Sequence, residues 1–307
     1  MSKDIQKVKE IVFSYIDEHR SEMMDFWQKI VSMESGSAYK DDVDKLGAFL
    51  GEQFAAAGAE VRFEEFEKAG NMLIANIGKE RDGEPIILMG HFDTVFPVGT
   101  LKTRPFKIEE GKAYGPGVLD MKGGITILYF IVRALQKAGY DKRPLKIMLA
   151  GDEEVGHAMS TCGDIFIQEA EGAKAAFDFE TGYTDNGIVV GRKGQVRIYV
   201  TVHGLAAHAG NEPEKGWNAI LEMTHKVIGI QALTDWERGI TYNVGIIKGG
   251  TVMNAVPDNA YAEVDVRYID PKHIDLIKAN VNKVIEKTHV EGTTTSVSFA
   301  IGFQPMQ

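Results

Sequence analysis

The stretch Pro85-Ile-Ile-Leu-Met-Gly-His-Phe-Asp93 decides how this chain folds. Its apolar run is unbroken from Ile86 to Met89, the pattern of a strand covered on both faces. It then opens into Gly90-His91-Phe92-Asp93. A second run, Leu145-Lys-Ile-Met-Leu-Ala150, ends in the same manner, at Gly151-Asp152-Glu153-Glu154. Between the two, residues 123–138 read as an apolar helix opened by Gly123-Gly124. A short strand over 174–180 leads into Asp178-Phe-Glu180-Thr-Gly182. Buried strands alternating with helices argue for an α/β sheet, whose ligand sites lie at the carboxyl ends of its strands.

Working outward, apolar residues recur at helical spacing over 3–32 (Ile5, Val8, Val12, Ile16) and over 41–57, where Gly58 stops the pattern. Strands are predicted at 61–63 and 72–74, and a helix at 158–171. After about residue 192 the character changes. Val196, Ile198, Val200 and Val202 alternate with polar residues, as in a strand with one wet face. A helix at 216–231, strands at 240–248 and 260–268, a helix at 271–288 and a strand at 295–301 follow. The order β-α-β-β-α-β is that of the ferredoxin-like unit. The expected domains are 1–191, metal-binding α/β, and 192–300, an inserted α+β lid, with 301–307 starting a return to the first.

The 307 residues agree with two domains at about 150 residues each. A net charge of −10 with no basic run argues against nucleic acid and anionic membranes, which need clustered Lys and Arg. The single cysteine, Cys162, excludes an internal disulfide and a Cys-rich zinc finger. The N-terminus is charged from residue 3 and shows no signal-peptide core, and no run of 18 apolar residues exists. The expected location is the cytoplasm.

Four segments carry the chemistry: His91-Phe-Asp93, Gly115-Pro-Gly-Val-Leu-Asp120-Met-Lys-Gly-Gly124, Asp152-Glu153-Glu154 and Asp178-Phe-Glu180. One imidazole and several carboxylates at strand ends suit a divalent ion, zinc first. A bridging carboxylate lets such a site hold a metal pair. Each piece has a plainer reading alone. His91 could be a core histidine, Asp120 a helix cap, Glu153 and Glu154 acids favoured by a helix dipole, and Glu180 an ordinary strand-end carboxylate. It is their conjunction that points to a site.

These segments resemble the zinc-dependent family of acetylornithine deacetylase, succinyl-diaminopimelate desuccinylase and glutamate carboxypeptidase. Met89-Gly-His91-Phe-Asp93-Thr-Val, Lys112-Ala-Tyr-Gly-Pro-Gly-Val-Leu-Asp120-Met-Lys-Gly-Gly and Asp152-Glu-Glu154 are most similar to the glutamate carboxypeptidase branch, in order over residues 20–305. The resemblance implies that His91 and Glu180 hold one zinc, that Asp120 bridges two and that Glu154 binds the second. It implies that Asp93 orients His91 and that Glu153 is the general base. It further implies a cis peptide at Asp120-Met121. In the lid, His208 resembles a residue that serves a partner subunit's site, and Asn254 and Arg267 resemble substrate-binding positions; the plainer reading of Arg267 is a strand-edge salt bridge. His203 and His225 have no match. His157, three residues after Glu154, is not a family ligand, although on a helix it would face the same way.

Near Phe303-Gln304-Pro305 the branch carries an Arg that grips a carboxylate. Gln304 stands there and donates only neutral hydrogen bonds. Family members also continue beyond this point and add one more zinc-ligating His. The resemblance therefore implies a metal-dependent hydrolase that cleaves an amide bond of a peptide or N-acyl amino acid. It would use two zinc ions in a complete site and one in this chain, with cobalt(II) or manganese(II) as substitutes. The chain would be a homodimer through its lid. The rivals are a deacylase and a fragment that binds metal or a partner without turnover.

Overall fold

The computed structural model describes residues 3–185 and 187–306. The chain divides into two compact units, residues 1–183 and 184–307.

The first unit opens with α1 (Lys3–Glu18), α2 (Arg20–Val31) and α3 (Lys40–Ala56). The helical pattern of 3–32 is broken at His19, whose ring stacks on Tyr15 and takes Nδ1 to 2.7 Å from the Tyr15 carbonyl. α3 ends as expected at Gly58, with φ +80°. There the Gly58 N–H reaches the Ala55 carbonyl and the Ala59 N–H reaches Phe54, a Schellman closure. Then come β1 (Glu60–Glu64), β2 (Gly70–Ile77), β3 (Ile86–His91), the one-turn α4 (Thr100–Thr103) and the hairpin β4 (Lys107–Glu109) and β5 (Lys112–Tyr114). α5 (Lys122–Lys137), β6 (Leu145–Gly151), α6 (Cys162–Ala170) and β7 (Ala175–Asp178) complete the unit.

The sheet runs β1-β2-β6-β3-β7. β3 is parallel to both β6 and β7, whereas β2 is antiparallel to β6 and to β1. Three carboxyl ends therefore face one side, those of β3, β6 and β7. The unbroken apolar runs are explained by cover on both faces. Leu88, Ile147, Leu149 and Leu73 pack with Phe26, Leu46, Leu50, Ile125 and Leu128 from α2, α3 and α5. On the opposite face, Ile87, Met72, Ile74 and Met148 pack with Cys162, Ile165 and Phe166 of α6. α5 approaches so closely that a Cβ on Gly124 would lie 1.8 Å from the Phe179 carbonyl oxygen, which only glycine avoids.

The second unit holds β8 (Gly194–His203), α7 (Ala219–Gln231), β9 (Thr241–Gly249), β10 (Asn259–Tyr268), α8 (His273–Glu286) and β11 (Thr294–Phe303). Its antiparallel sheet runs β11-β8-β10-β9, the strand order of a ferredoxin-like fold. The alternation read in β8 faces a core. Val196, Ile198, Val200 and Val202 pack with Ala260, Ala262, Val264 and Val266 of β10, Met223 and Ile230 of α7, and Ile277 and Val281 of α8. Within this core Lys226 and Glu222 form a buried ion pair of 2.7 Å. Lys226 also donates to the carbonyls of Val284, Ile285 and Lys287, and Glu222 accepts from the N–H groups of His289 and Val290. Paired and hydrogen-bonded in this way, the two charges join α7 to the end of α8.

Candidate metal centre

His91 closes β3 and is 1% exposed. Its Nε2 lies 3.0 Å from Glu180 Oε1, 3.1 Å from Asp120 Oδ1 and 3.9 Å from Glu153 Oε2. Its Nδ1 lies 3.2 Å from Asp93 Oδ1 and 3.1 Å from the Asp93 carbonyl. Each contributor arrives by a separate element. Glu180 follows β7, Asp120 ends the Gly-Pro-Gly loop just before α5, and Glu153 opens a single 3-10 turn after β6. The peptide between Asp120 and Met121 is cis.

Asp93 is fully buried and each of its oxygens is engaged. Oδ2 accepts from Ser37 Oγ at 2.7 Å and from the Glu154 N–H at 3.1 Å, and Oδ1 accepts from the Glu153 N–H at 3.0 Å. One carboxylate thus fixes His91 and the turn that carries both glutamates. Ser37 is a participant that sequence reasoning missed. It lies 56 residues before Asp93, and nothing local marks it. Its loop is joined to the strand end by Ser37 N–H to Thr94 O and Thr94 N–H to Ser35 O.

The electrostatics call for a cation. Burial alone would lower the His91 pKa, but hydrogen bonds and charge from Asp93 and Glu180 push it up to about 11. Burial would raise Asp93, yet the bonds from His91 and Ser37 hold it below the ordinary carboxylate range. Glu154 is pushed up to about 6 by burial and the Asp120 charge, and Asp178 to about 6 by burial and the Glu180 charge. Burial also raises Glu153. Nε2 carries at most one proton but faces two carboxylate oxygens at hydrogen-bond distance. The donor set of His91, Asp120 and Glu180, with ligand atoms within 4.8 Å of one another, fits a divalent cation. Glu154 is not part of that group.

Beside Glu180 lies a mostly apolar cavity of about 480 Å³. Its walls include Met23, Trp27, Val118, Leu119 and Ile127. The Trp27 indole donates to the Val118 carbonyl at 3.0 Å, two residues before Asp120.

His157 does not follow Glu154 on a helix, as the spacing allowed. Gly156 and His157 both take left-handed backbone (φ +64° and +55°), and α6 starts only at Cys162. The reversal turns the imidazole back onto Asp152, with Nδ1 2.8 Å from Oδ1.

The remaining sequence-predicted residues are in the second unit. His208 and Asn254 are neighbours there, since His208 pairs with Ala255 and the Ala209 N–H donates to the Asn254 carbonyl. His208 Nδ1 accepts from the N–H groups of Gly210 and Asn211, which puts the ring proton on Nε2. Arg267 lies apart from them, towards the other end of β10 and opposite Gln195 and Thr241. Its Nε lies 2.7 Å from Asp265, and its guanidinium stacks over Phe303. Gln304 accepts from the Tyr268 hydroxyl at 3.2 Å.

Residues 190–293 match the peptidase dimerisation domain of the M20 family. The chain is 31% identical over 275 residues to carboxypeptidase G2 of Pseudomonas sp. (strain RS-16), covering 88% of this chain and 65% of that protein. It is 27% identical over 213 residues to succinyl-diaminopimelate desuccinylase of Corynebacterium glutamicum, covering 67% of this chain and 56% of that one. It therefore spans 65% of the length of the first of these relatives and 56% of the second. Among solved structures it is similar to aminopeptidase PepT of Bacillus cereus, with a TM-score of 0.75 at 20% identity, covering 93% of this chain and 76% of that one. It is also similar to the M20 family metallo-carboxypeptidase Sso-CP2 of Sulfolobus solfataricus, with a TM-score of 0.62 at 18% identity, covering 93% of this chain and 79% of that one. An α/β unit with histidine and carboxylates at its strand ends, followed by a ferredoxin-like unit, defines the class. Residues 190–293 carry the peptidase dimerisation domain of the M20 family, and most of the chain is similar to carboxypeptidase G2.

Proposed function

We propose that this chain carries the metal centre of a metal-dependent amidohydrolase that cleaves an amide bond of a peptide or N-acyl amino acid. The observation supporting this most directly is the buried His91 imidazole with Asp120 and Glu180 at 3.1 and 3.0 Å from one nitrogen. His91, Asp120 and Glu180 would hold one ion, and Asp120 with Glu154 would offer only two carboxylates to a second. One tightly held ion at this centre is thus the expected occupancy. When bound, zinc supplies Lewis acidity to the substrate carbonyl and to the attacking water.

Glu153 is the proposed general base. It takes the water's proton at its carboxylate and returns it to the departing amine. Its position suits the task, because its backbone is anchored on Asp93 while half of its side chain remains solvent-accessible. Asp93 keeps the His91 imidazole oriented. His208, with its proton on Nε2, is the proposed donor to the developing oxyanion, supplied by a second copy. Asn254, its neighbour, and Arg267 are proposed substrate contacts. Dimerisation through the second unit and a cytoplasmic location belong to the same reading. The single thiol, Cys162, is buried and unpaired, which suits a reducing compartment.

The test is zinc per chain after dialysis, measured beside turnover of a panel of dipeptides and N-acyl amino acids. Metal binding with turnover that vanishes in Glu153→Gln supports the reading. No zinc retained, or unchanged turnover in Glu153→Gln, overturns it.

A further inference from the structure

We propose a second metal site in the first unit, formed by Asp152, His157 and Cys162 and suited to zinc or another borderline divalent ion. The three residues stand five apart, at the end of β6, in the reversed turn and at the first position of α6. The left-handed pair Gly156–His157 folds the chain back so that all three side chains converge. One ligand atom from each lies within 4.8 Å of the others. Asp152 and Cys162 are fully buried, and His157 is one-quarter exposed, which leaves an entry path along its ring.

Two observations set this cluster apart from an ordinary ion pair. Asp152 Oδ1 meets His157 Nδ1, but Oδ2 is buried with no hydrogen-bond partner among the described residues. Leaving a buried carboxylate oxygen unpaired is costly, and an ion would relieve that cost. The donors also form an oxygen, nitrogen and sulfur set, which suits zinc and cobalt rather than calcium or magnesium. Ligand atoms around tetrahedral zinc lie roughly 3.3–3.7 Å apart. The group therefore needs to contract by no more than about 1.5 Å. On binding, the ion replaces the proton shared by Asp152 and His157 and the proton on Cys162, so that protons leave as the metal enters.

The site would act on the turn that carries Glu153 and Glu154. Asp93 anchors their backbone N–H groups on one side. An ion joining Asp152 to α6 fixes the same turn from the other. The inference does not rest on the hydrolase reading, since it concerns ligands that the His91 group does not use.

Cobalt(II) titration of the chelator-stripped, full-length chain provides the test. The His91, Asp120 and Glu180 group has no sulfur, and Cys162 is the only cysteine. A near-ultraviolet thiolate-to-cobalt band can therefore arise only at Cys162. We expect that band in the parent chain and in His91→Ala, and its loss in Cys162→Ser. Because Cys162→Ser replaces a core residue, His157→Ala is the second variant, and the band should be lost there too while the fold is kept by circular dichroism. Absence of the band from the parent chain, or its persistence in folded His157→Ala, overturns the site. An ion-free Asp152–His157 pair beside an inert thiol would be the result.

Discussion

Asp93 serves His91, Ser37 and two backbone N–H groups with a single carboxylate. An Asn in its place would present an NH₂ group to one of these donors. Asp93→Asn should therefore weaken zinc binding by about 10–100-fold, as loss of an orienting partner does; affinity equal to that of the parent would show that His91 orients itself. Glu153→Gln should keep the metal and lose about 10²–10⁴ in rate. Proton competition is a third expectation at this scale. In the ion-free protein His91 is pushed up to about 11, so its proton is still bound well above neutral pH. Zinc must displace that proton, and zinc affinity should rise about tenfold per pH unit between about pH 6 and 8. A flat affinity across that window, measured with a metal-buffered indicator, would contradict the placement of His91. The motif residues around this centre were legible because each sits where an apolar run breaks into Gly, His or acid. Ser37 was not, since only tertiary folding brings it to Asp93.

At the level of elements, the strand ends and the second unit's order of strands and helices along the chain could be read from periodicity, because burial on two faces or on one leaves different patterns. The β4–β5 hairpin has three-residue strands and no such pattern. The position of His157 could not be read, because a left-handed non-glycine residue carries no local signal. The contact between α5 and the segment after β7 makes a sharper prediction. Gly124→Ala would drive a methyl group into the Phe179 carbonyl, immediately before Glu180. Overpacking of this kind costs about 1–3 kcal/mol. The variant should melt several degrees lower by circular dichroism and bind zinc less tightly. Unchanged melting would mean that α5 can withdraw freely.

For the whole molecule, two apolar clusters on the faces of the first unit's sheet, one in the second unit and a net charge of −10 describe a chain with no helix, among the described residues, long and apolar enough to cross a membrane. Ile220, Leu221 and Ile228 of α7 and Ile246 and Ile247 of the edge strand β9 are exposed apolar residues on the dimerisation unit. A dimer at micromolar concentration by light scattering is the expected outcome. A strict monomer would remove the role proposed for His208.

The bond from the Trp27 indole to the Val118 carbonyl gives the first unit its own optical signal. Trp27 is the only tryptophan of that unit, and Trp217 and Trp236 belong to the second. In a Trp27→Phe chain, emission comes from the second unit alone. Subtracting its melting profile from that of the parent leaves the fluorescence of the first unit. Because Trp27 is tied to the loop that carries Asp120, zinc should change that remainder in intensity or colour while leaving the Trp217 and Trp236 signal still.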